Sequence, residues 1–430
     1  MKNQILKTFT PAVGLIGLLA FLFTLTGCQN PASSASAPTN LAGKIYDGAT
    51  ALPLAGATVY WGSTSATTAA DGSFSIPLGQ SSGTIVSDFG VYKAGYNVVF
   101  LKSFPIDSAN PPSVSLPILQ SIAPTATHTL SISPLMGSNG AEVATGTSVE
   151  ITLMANGVDD VTTLNQSYTQ GSGISLTSTI ATSNTLVRID ELSNGQPIAS
   201  TWIPHVDLSG TATNLGTVTL AANSNTQFTG SPASSGSLAL YYYTGQGFDY
   251  VFLPSNQYSL PVPPVSPSGT VAVDYSSSST TSDGYTVSSF ALTNPLASLG
   301  TSIPLPTLPT AVFTSGPTVK PSYNSTSKTL TVGSVAGASL YFLQISSLTN
   351  STNKLYVGIF STSNSVVLPD WLVKVLAGNA VTLSYQALNY TLSLSQWFNG
   401  FLNLSSPIPA GSGSYLSGSS GSNMQTSLQF

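Results

Sequence analysis

Trp202-Ile-Pro-His205-Val-Asp207 sets a histidine between a tryptophan and a carboxylate, the ingredients of half a catalytic pair or of a ligand-stacking site. No G-x-S-x-G elbow accompanies it, and nothing distinguishes one nucleophile among so many serines, so the expectation is a structural histidine in a loop. The other histidine, His128, has no H-x-x-E or H-E-x-x-H spacing to a carboxylate, which removes the usual zinc arrangements. Asp159-Asp160 and Asp190-Glu191 could offer oxygens to calcium, but neither has the alternating acidic pattern that gathers several ligands in one loop. Among 15 acidic residues nothing singles out a glycosidase-like pair. The sequence therefore assigns no catalytic residue, no metal and no cofactor, and a non-enzymatic role is expected.

The strongest binding candidate is the aromatic run Leu240-Tyr241-Tyr242-Tyr243-Thr-Gly-Gln-Gly-Phe248-Asp-Tyr250-Val-Phe252. Its Gly-Gln-Gly centre reads as a hairpin turn, so successive aromatics project to opposite faces of the hairpin. One face enters a core. The other needs cover from a neighbouring domain, a partner or a ligand, and Tyr241, Tyr243, Phe248 and Tyr250 are the candidate contacts. Packing against a neighbouring domain is the plainer outcome.

Such side chains must be positioned by strands. Short alternating runs bounded by Gly, Ser, Asn and Pro recur, among them Val149-Glu-Ile-Thr-Leu153, Thr217-Val-Thr-Leu220, Thr270-Val-Ala-Val-Asp-Tyr275 and Val381-Thr-Leu-Ser-Tyr385. Period-two alternation of β-branched and aromatic residues predicts half-buried strands, and their repetition predicts an all-β chain of tandem β-sandwiches. Pro369-Asp-Trp-Leu-Val-Lys-Val-Leu-Ala-Gly378 alone reads as helical after the leader, with proline at its start and glycine at its end. Prolines in 260–267 and 303–309 mark joints or edge strands. From Pro407 the chain is rich in Gly and Ser, and a disordered tail is expected. Its aromatic end, Phe430, is one weak strand signal and makes no barrel.

Charge is scarce: 6% of residues are Asp, Glu, Lys or Arg, against roughly 25% in an ordinary soluble domain. With a single arginine, Arg188, and no basic patch, nothing favours nucleic acid. Hydroxyl-rich, charge-poor chains suit exported β proteins. They also suit acid, because few basic groups are left unopposed when carboxylates protonate.

The N-terminus carries Lys2 and Lys7, then an apolar stretch from Ala12 to Leu25 that is too short to span a bilayer, ending in Leu25-Thr26-Gly27-Cys28. This ending resembles a bacterial lipobox. The resemblance implies cleavage before Cys28, acylation of that only cysteine, and a membrane anchor; an ordinary secretory signal or a transmembrane anchor is the alternative. Gln29 in place of an aspartate implies the outer membrane, with either its periplasmic or its surface side open. Residues 28–40 read as the lipidated cysteine and a flexible tether.

Gly43-Lys-Ile45-Tyr-Asp47, Leu52-Pro-Leu-Ala-Gly56-Ala57-Thr-Val59, Asp71-Gly72-Ser-Phe74-Ser-Ile76 and Lys93-Ala-Gly95-Tyr96 follow one another in an order that resembles the carboxypeptidase regulatory-like domain. The resemblance covers 41–122 and implies a transthyretin-like seven-stranded sandwich without activity of its own. Ser327-Lys-Thr-Leu-Thr-Val332, Ala336-Gly-Ala-Ser-Leu-Tyr341-Phe-Leu-Gln-Ile345 and Val381-Thr-Leu383-Ser-Tyr385 resemble a fibronectin type III-like sandwich over 310–395, although Val332 stands where tryptophan is usual. Residues 125–305 resemble nothing named and have room for one or two further sandwiches.

These features imply a lipid-anchored rod of sandwiches that presents a binding or structural surface to a glycan or an envelope protein. The alternative is a polysaccharide-active enzyme, or its accessory module, with its catalytic domain in 125–305.

Overall fold

The computed structural model describes residues 39–80, 82–118, 127–164, 168–230, 236–253, 259–266, 269–347, 356–391, 410–418 and 422–430. Cys28, its leader and most of the tether lie outside the described residues. The chain is all-β with one short helix. Its apolar side chains gather into four hydrophobic cores, each between two sheets. Residues 125–305 hold two of them.

In the first sandwich Asn40–Asp47 lies between Ser73–Pro77 and Val114–Ile118, and faces a sheet of Thr64–Thr67, Thr58–Trp61, Thr84–Tyr92 and Val98–Asp107. Alternation decides what faces inward: Leu41 and Ile45 meet Val59, Phe89, Val91 and Phe104. The turn at Asp71-Gly72 forms as its residues require. Gly72 has φ 75°, and the Asp71 carboxylate accepts from the Ser73 amide and hydroxyl. The Asp47 carboxylate similarly ties its own loop, accepting from the amides of Ala49 and Thr50 and from the Tyr96 hydroxyl.

The second sandwich pairs a sheet of Val158–Leu164, Ser148–Ala155, Thr185–Ser193, Gln196–Val206 and Ala221–Ala222 with one of Ile174–Ser178, His128–Ile132 and Ala212–Asn214. Of the expected strand at 217–220 only Val218–Thr219 is extended in a ladder. The third sandwich uses the aromatic hairpin, Gly236–Thr244 with Gly247–Leu253, together with Thr270–Thr280 and Thr286–Leu292. Opposite them Ser224–Thr229 is flanked by two proline-bearing strands, Ser259–Val262 and Ser302–Pro304, which are edge strands as proline demands.

The fourth sandwich sets Ser322–Asn324, Thr329–Thr331 and Ser365–Val367 against Tyr356–Ser361, Leu340–Ser347, Ala380–Tyr390 and Gln425–Gln429. The predicted helix is Asp370–Leu376, with Pro369 at its N-cap, Asp370 in its first turn and Lys374 in its last, matching the helix dipole.

Two expectations are corrected. The stretch after Pro407 is not a disordered tail throughout. Gly411–Ser417 is an interior strand between Thr286–Leu292 and Ala380–Tyr390, and Gln425–Gln429 pairs with the other half of Ala380–Tyr390. Ladders on both sides hold a Gly/Ser segment that has little strand propensity of its own. Nor is the assembly a linear rod. Val98–Asp107 of the first sandwich pairs in parallel with Tyr356–Ser361 of the fourth, so one 13-stranded sheet runs through the first, fourth and third sandwiches. Val98 and Phe100 point into the fourth core, while Val99 and Leu101 join the first. The second sandwich closes the circuit. Ala51 of the first sandwich is buried in the second core, Thr179 donates to the Ala49 carbonyl, and the other side meets the third sandwich. Thr39–Phe430 is accordingly one compact unit.

Candidate functional sites

Arg188 shows how the second and third sandwiches meet. On Thr185–Ser193, Val187 and Ile189 face the second core, so Arg188 and Asp190 face outward. That outer face is covered by the third sandwich, leaving Arg188 only 1% exposed. Its guanidinium donates to Asp190 Oδ2 at 2.7 Å, to Glu150 Oε1 at 3.1 Å, and to Asp249 of the aromatic hairpin. The indole of Trp202 and the ring of Tyr242 lie 5.6 and 5.9 Å from its carbon. Ser200 donates to the remaining Asp190 oxygen, and Trp202 Nε1 donates to the Pro264 carbonyl at 2.8 Å. Burial opposes the Arg188 charge, but Asp190 and Asp249, with Tyr242 and Glu150 behind them, outweigh it and raise its pKa. Burial also raises Asp190, partly offset by Arg188 and Ser200. The carboxylates around Arg188 account for its direction, and burial accounts for that of Asp190. Every polar atom of the guanidinium points at protein, so the arrangement is an interdomain clamp rather than a ligand pocket.

The sequence candidates fall as follows. His205 is exposed at the end of Gln196–Val206, a strand rather than a loop, with φ 58° and its Nδ1 2.8 Å from Asn184 Oδ1. Asp207 instead accepts from the Ser209 amide and hydroxyl, which hold its pKa below the usual range. Trp202 serves the clamp. His128 is buried between the Gly210 carbonyl and the Thr213 hydroxyl. Asp190 and Glu191 alternate to opposite faces of their strand, and only Asp190 joins the clamp. The side chains of Asp159 and Asp160 lie outside the described residues. Among the described residues no group of three or more His, Cys, Asp or Glu could hold a metal ion.

The aromatic hairpin forms with Gly245-Gln246 as its turn and Tyr241 opposite Tyr250. Leu240 and Tyr242 enter the third core, and the Tyr242 hydroxyl donates to the Pro263 carbonyl. On the other face Tyr243 is buried and Tyr241 half-buried. The rings of Phe248 and Tyr250 lie outside the described residues.

A cleft of about 740 Å³ opens where the helix of the fourth sandwich lies on the first. The sheet contributes Tyr60 and Tyr92, the turn after Thr58–Trp61 contributes Ser63, and the helix contributes Asp370, Trp371 and Lys374. Trp371 stacks on Tyr60 with ring centroids 4.4 Å apart and planes at 1°, and meets Phe100 edge-on. Gly90 makes this possible, since a Cβ there would lie 2.5 Å from the indole. Burial, with the Tyr92 ring nearby, raises the Tyr60 pKa, so its hydroxyl stays a neutral donor. Lys328 pairs with Asp370 at 2.6 Å, which neutralises that carboxylate and holds its pKa low. Lys374, one helical turn from Trp371, is exposed and makes no ion pair among the described residues. Sequence reasoning missed this site. Its one local signal was the Trp371/Lys374 spacing, which puts both on one face of the predicted helix.

No protein-family model matches the chain, and no curated protein matches it.

Proposed function

We propose that this chain is a lipid-anchored protein of the bacterial outer membrane, cleaved before Cys28 and acylated there, whose β-sandwich body has a non-enzymatic binding or structural role toward a glycan or an envelope protein. The leader ending in Leu25-Thr26-Gly27-Cys28 carries the reading, because it places the chain's only thiol where a lipobox needs it. Acyl chains on Cys28 give stable anchoring where a single chain is marginal. No helix among the described residues is long and apolar enough to cross a membrane.

The sandwiches support the domain readings. The first has seven strands, the number a carboxypeptidase regulatory-like domain needs. In the fourth, its first, second and fifth strands form one sheet and its third, fourth, sixth and last the other, as a fibronectin type III-like sandwich would have them. The last of these strands lies in 425–429, so the domain reaches beyond 395.

Radiolabelled palmitate tests the anchor. Incorporation into the wild-type chain and none into Cys28→Ala is expected, with the variant released from the membrane fraction. Equal labelling of both, or none in either, would remove the lipoprotein reading. Protease treatment of intact and permeabilised cells then tells surface from periplasm.

A further inference from the structure

We infer that the cleft between the first sandwich and the helix Asp370–Leu376 is a binding site for an acidic saccharide, with Lys374 reading the carboxylate of a uronic-acid unit. This deepens the binding role proposed above and rests on it. About 740 Å³ is within the range of small-molecule sites, which bury a ligand on an apolar wall with a few placed polar groups. The wall here is aromatic: Tyr60, Tyr92 and Trp371. Tyr60 and Trp371 cover one face of each other, so the flat, weakly polar surface for the CH face of a pyranose is the outer face of that pair together with Tyr92, while the Tyr60 and Ser63 hydroxyls offer hydrogen bonds to its ring hydroxyls.

Charge narrows the class. The chain as a whole is negative, at −5, yet the cleft mouth is not. Asp370 pairs with Lys328 and also feels Lys374, so two cations face one carboxylate and a net positive charge remains beside the aromatic wall. An anionic ligand is drawn to such a spot more strongly than a neutral one, and at low ionic strength above all. The cleft's two sides come from domains that are distant in sequence but joined by the ladder Val98–Asp107 with Tyr356–Ser361, so the site is preformed on rigid elements.

The test is calorimetric titration of the full chain in mild detergent with tetramers of galacturonate, mannuronate and glucuronate-bearing hyaluronan, each beside its methyl ester. At least one acid should bind with sub-millimolar Kd. Methyl esterification and Lys374→Gln, an exposed substitution that leaves the fold intact, should each weaken it about tenfold, and Tyr60→Leu should weaken acid and ester alike. Failure of all three acids to bind, or an acid bound equally well by Lys374→Gln, would overturn the assignment. A glutamate-rich peptide binding as tightly as the best saccharide would overturn it too, by giving the cleft to a protein partner. Palmitate labelling at Cys28 is independent of every one of these outcomes, so failure of the saccharide site and failure of the anchor are told apart.

Discussion

Asp274 is a residue at which the folded state is poorly suited to neutral pH. It lies on Thr270–Thr280, on the face away from the third core, between Ala239 and Leu292 of the neighbouring strands. Its Oδ1 is buried with no hydrogen-bond partner among the described residues, and burial lifts its pKa from 3.8 to about 6. Between those two values the folded chain keeps a proton that the unfolded chain has released. The contribution of Asp274 to stability is therefore greatest below about pH 4, falls as pH rises, and is lost above about pH 6. The span is on the order of 3 kcal/mol. Exposed carboxylates such as Asp71, held down at about 2 by Ser73 and then Lys44, act in the opposite sense and lose their contribution as pH falls. Asp274→Asn isolates one from the other. Its urea midpoint should exceed wild type at pH 7, and the advantage should shrink to nothing by pH 4. Parallel profiles for the two proteins would show that the carboxyl is solvated.

Elements were legible where the determinants are local. The turn at Asp71-Gly72, the hairpin around Gly245-Gln246 and the helix between Pro369 and Gly378 each carry their own signals within a few residues, and each forms. The strand Gly411–Ser417 carries none: Gly-Ser-Gly-Ser-Tyr-Leu-Ser alternates weakly, and only its two neighbours make it a strand. The cleft was illegible for a related reason, since Tyr60 and Trp371 meet through a parallel ladder between domains that no sequence pattern announces. The clamp was half-legible. Arg188-x-Asp190 on one face of a strand can be read, but Asp249 belongs to another sandwich.

The late strand is accordingly predicted to be indispensable. Ending the chain at Ala410 opens the edges of Thr286–Leu292 and Ala380–Tyr390 and removes Leu416 and Met424 from the fourth core. Those two side chains alone are worth about 3–6 kcal/mol of burial. Loss of cooperative unfolding in urea, with aggregates on size exclusion, is expected. A monomeric truncated chain with the wild-type midpoint would mean that the ladder contributes nothing.

At the scale of the molecule, closure of the circuit matters more than any one sandwich. Three sandwiches share a continuous sheet, so their unfolding is coupled through backbone ladders. The second is held differently, by the loop around Ala51 on one side and by the Arg188 clamp on the other. Arg188→Met leaves the buried carboxylates of Asp190 and Asp249, and the partly exposed Glu150, without their cation, which costs about 3–5 kcal/mol for a buried pair that loses one partner. Calorimetry should then resolve two heat-absorption peaks where wild type gives one, the earlier belonging to the second sandwich. Replacing Asp190 and Asp249 by leucine in the same variant removes the stranded charges, and most of the lost stability should return, because an apolar cluster of similar volume can match a buried ionic one. If Arg188→Met unfolds in one transition at the wild-type temperature, the clamp is not what joins the second sandwich to the third. Recovery in the triple variant, by contrast, would show that the chain's only arginine sets the register of the interface rather than its strength, and that a charge-poor protein spends its one guanidinium where two domains must meet in a single orientation.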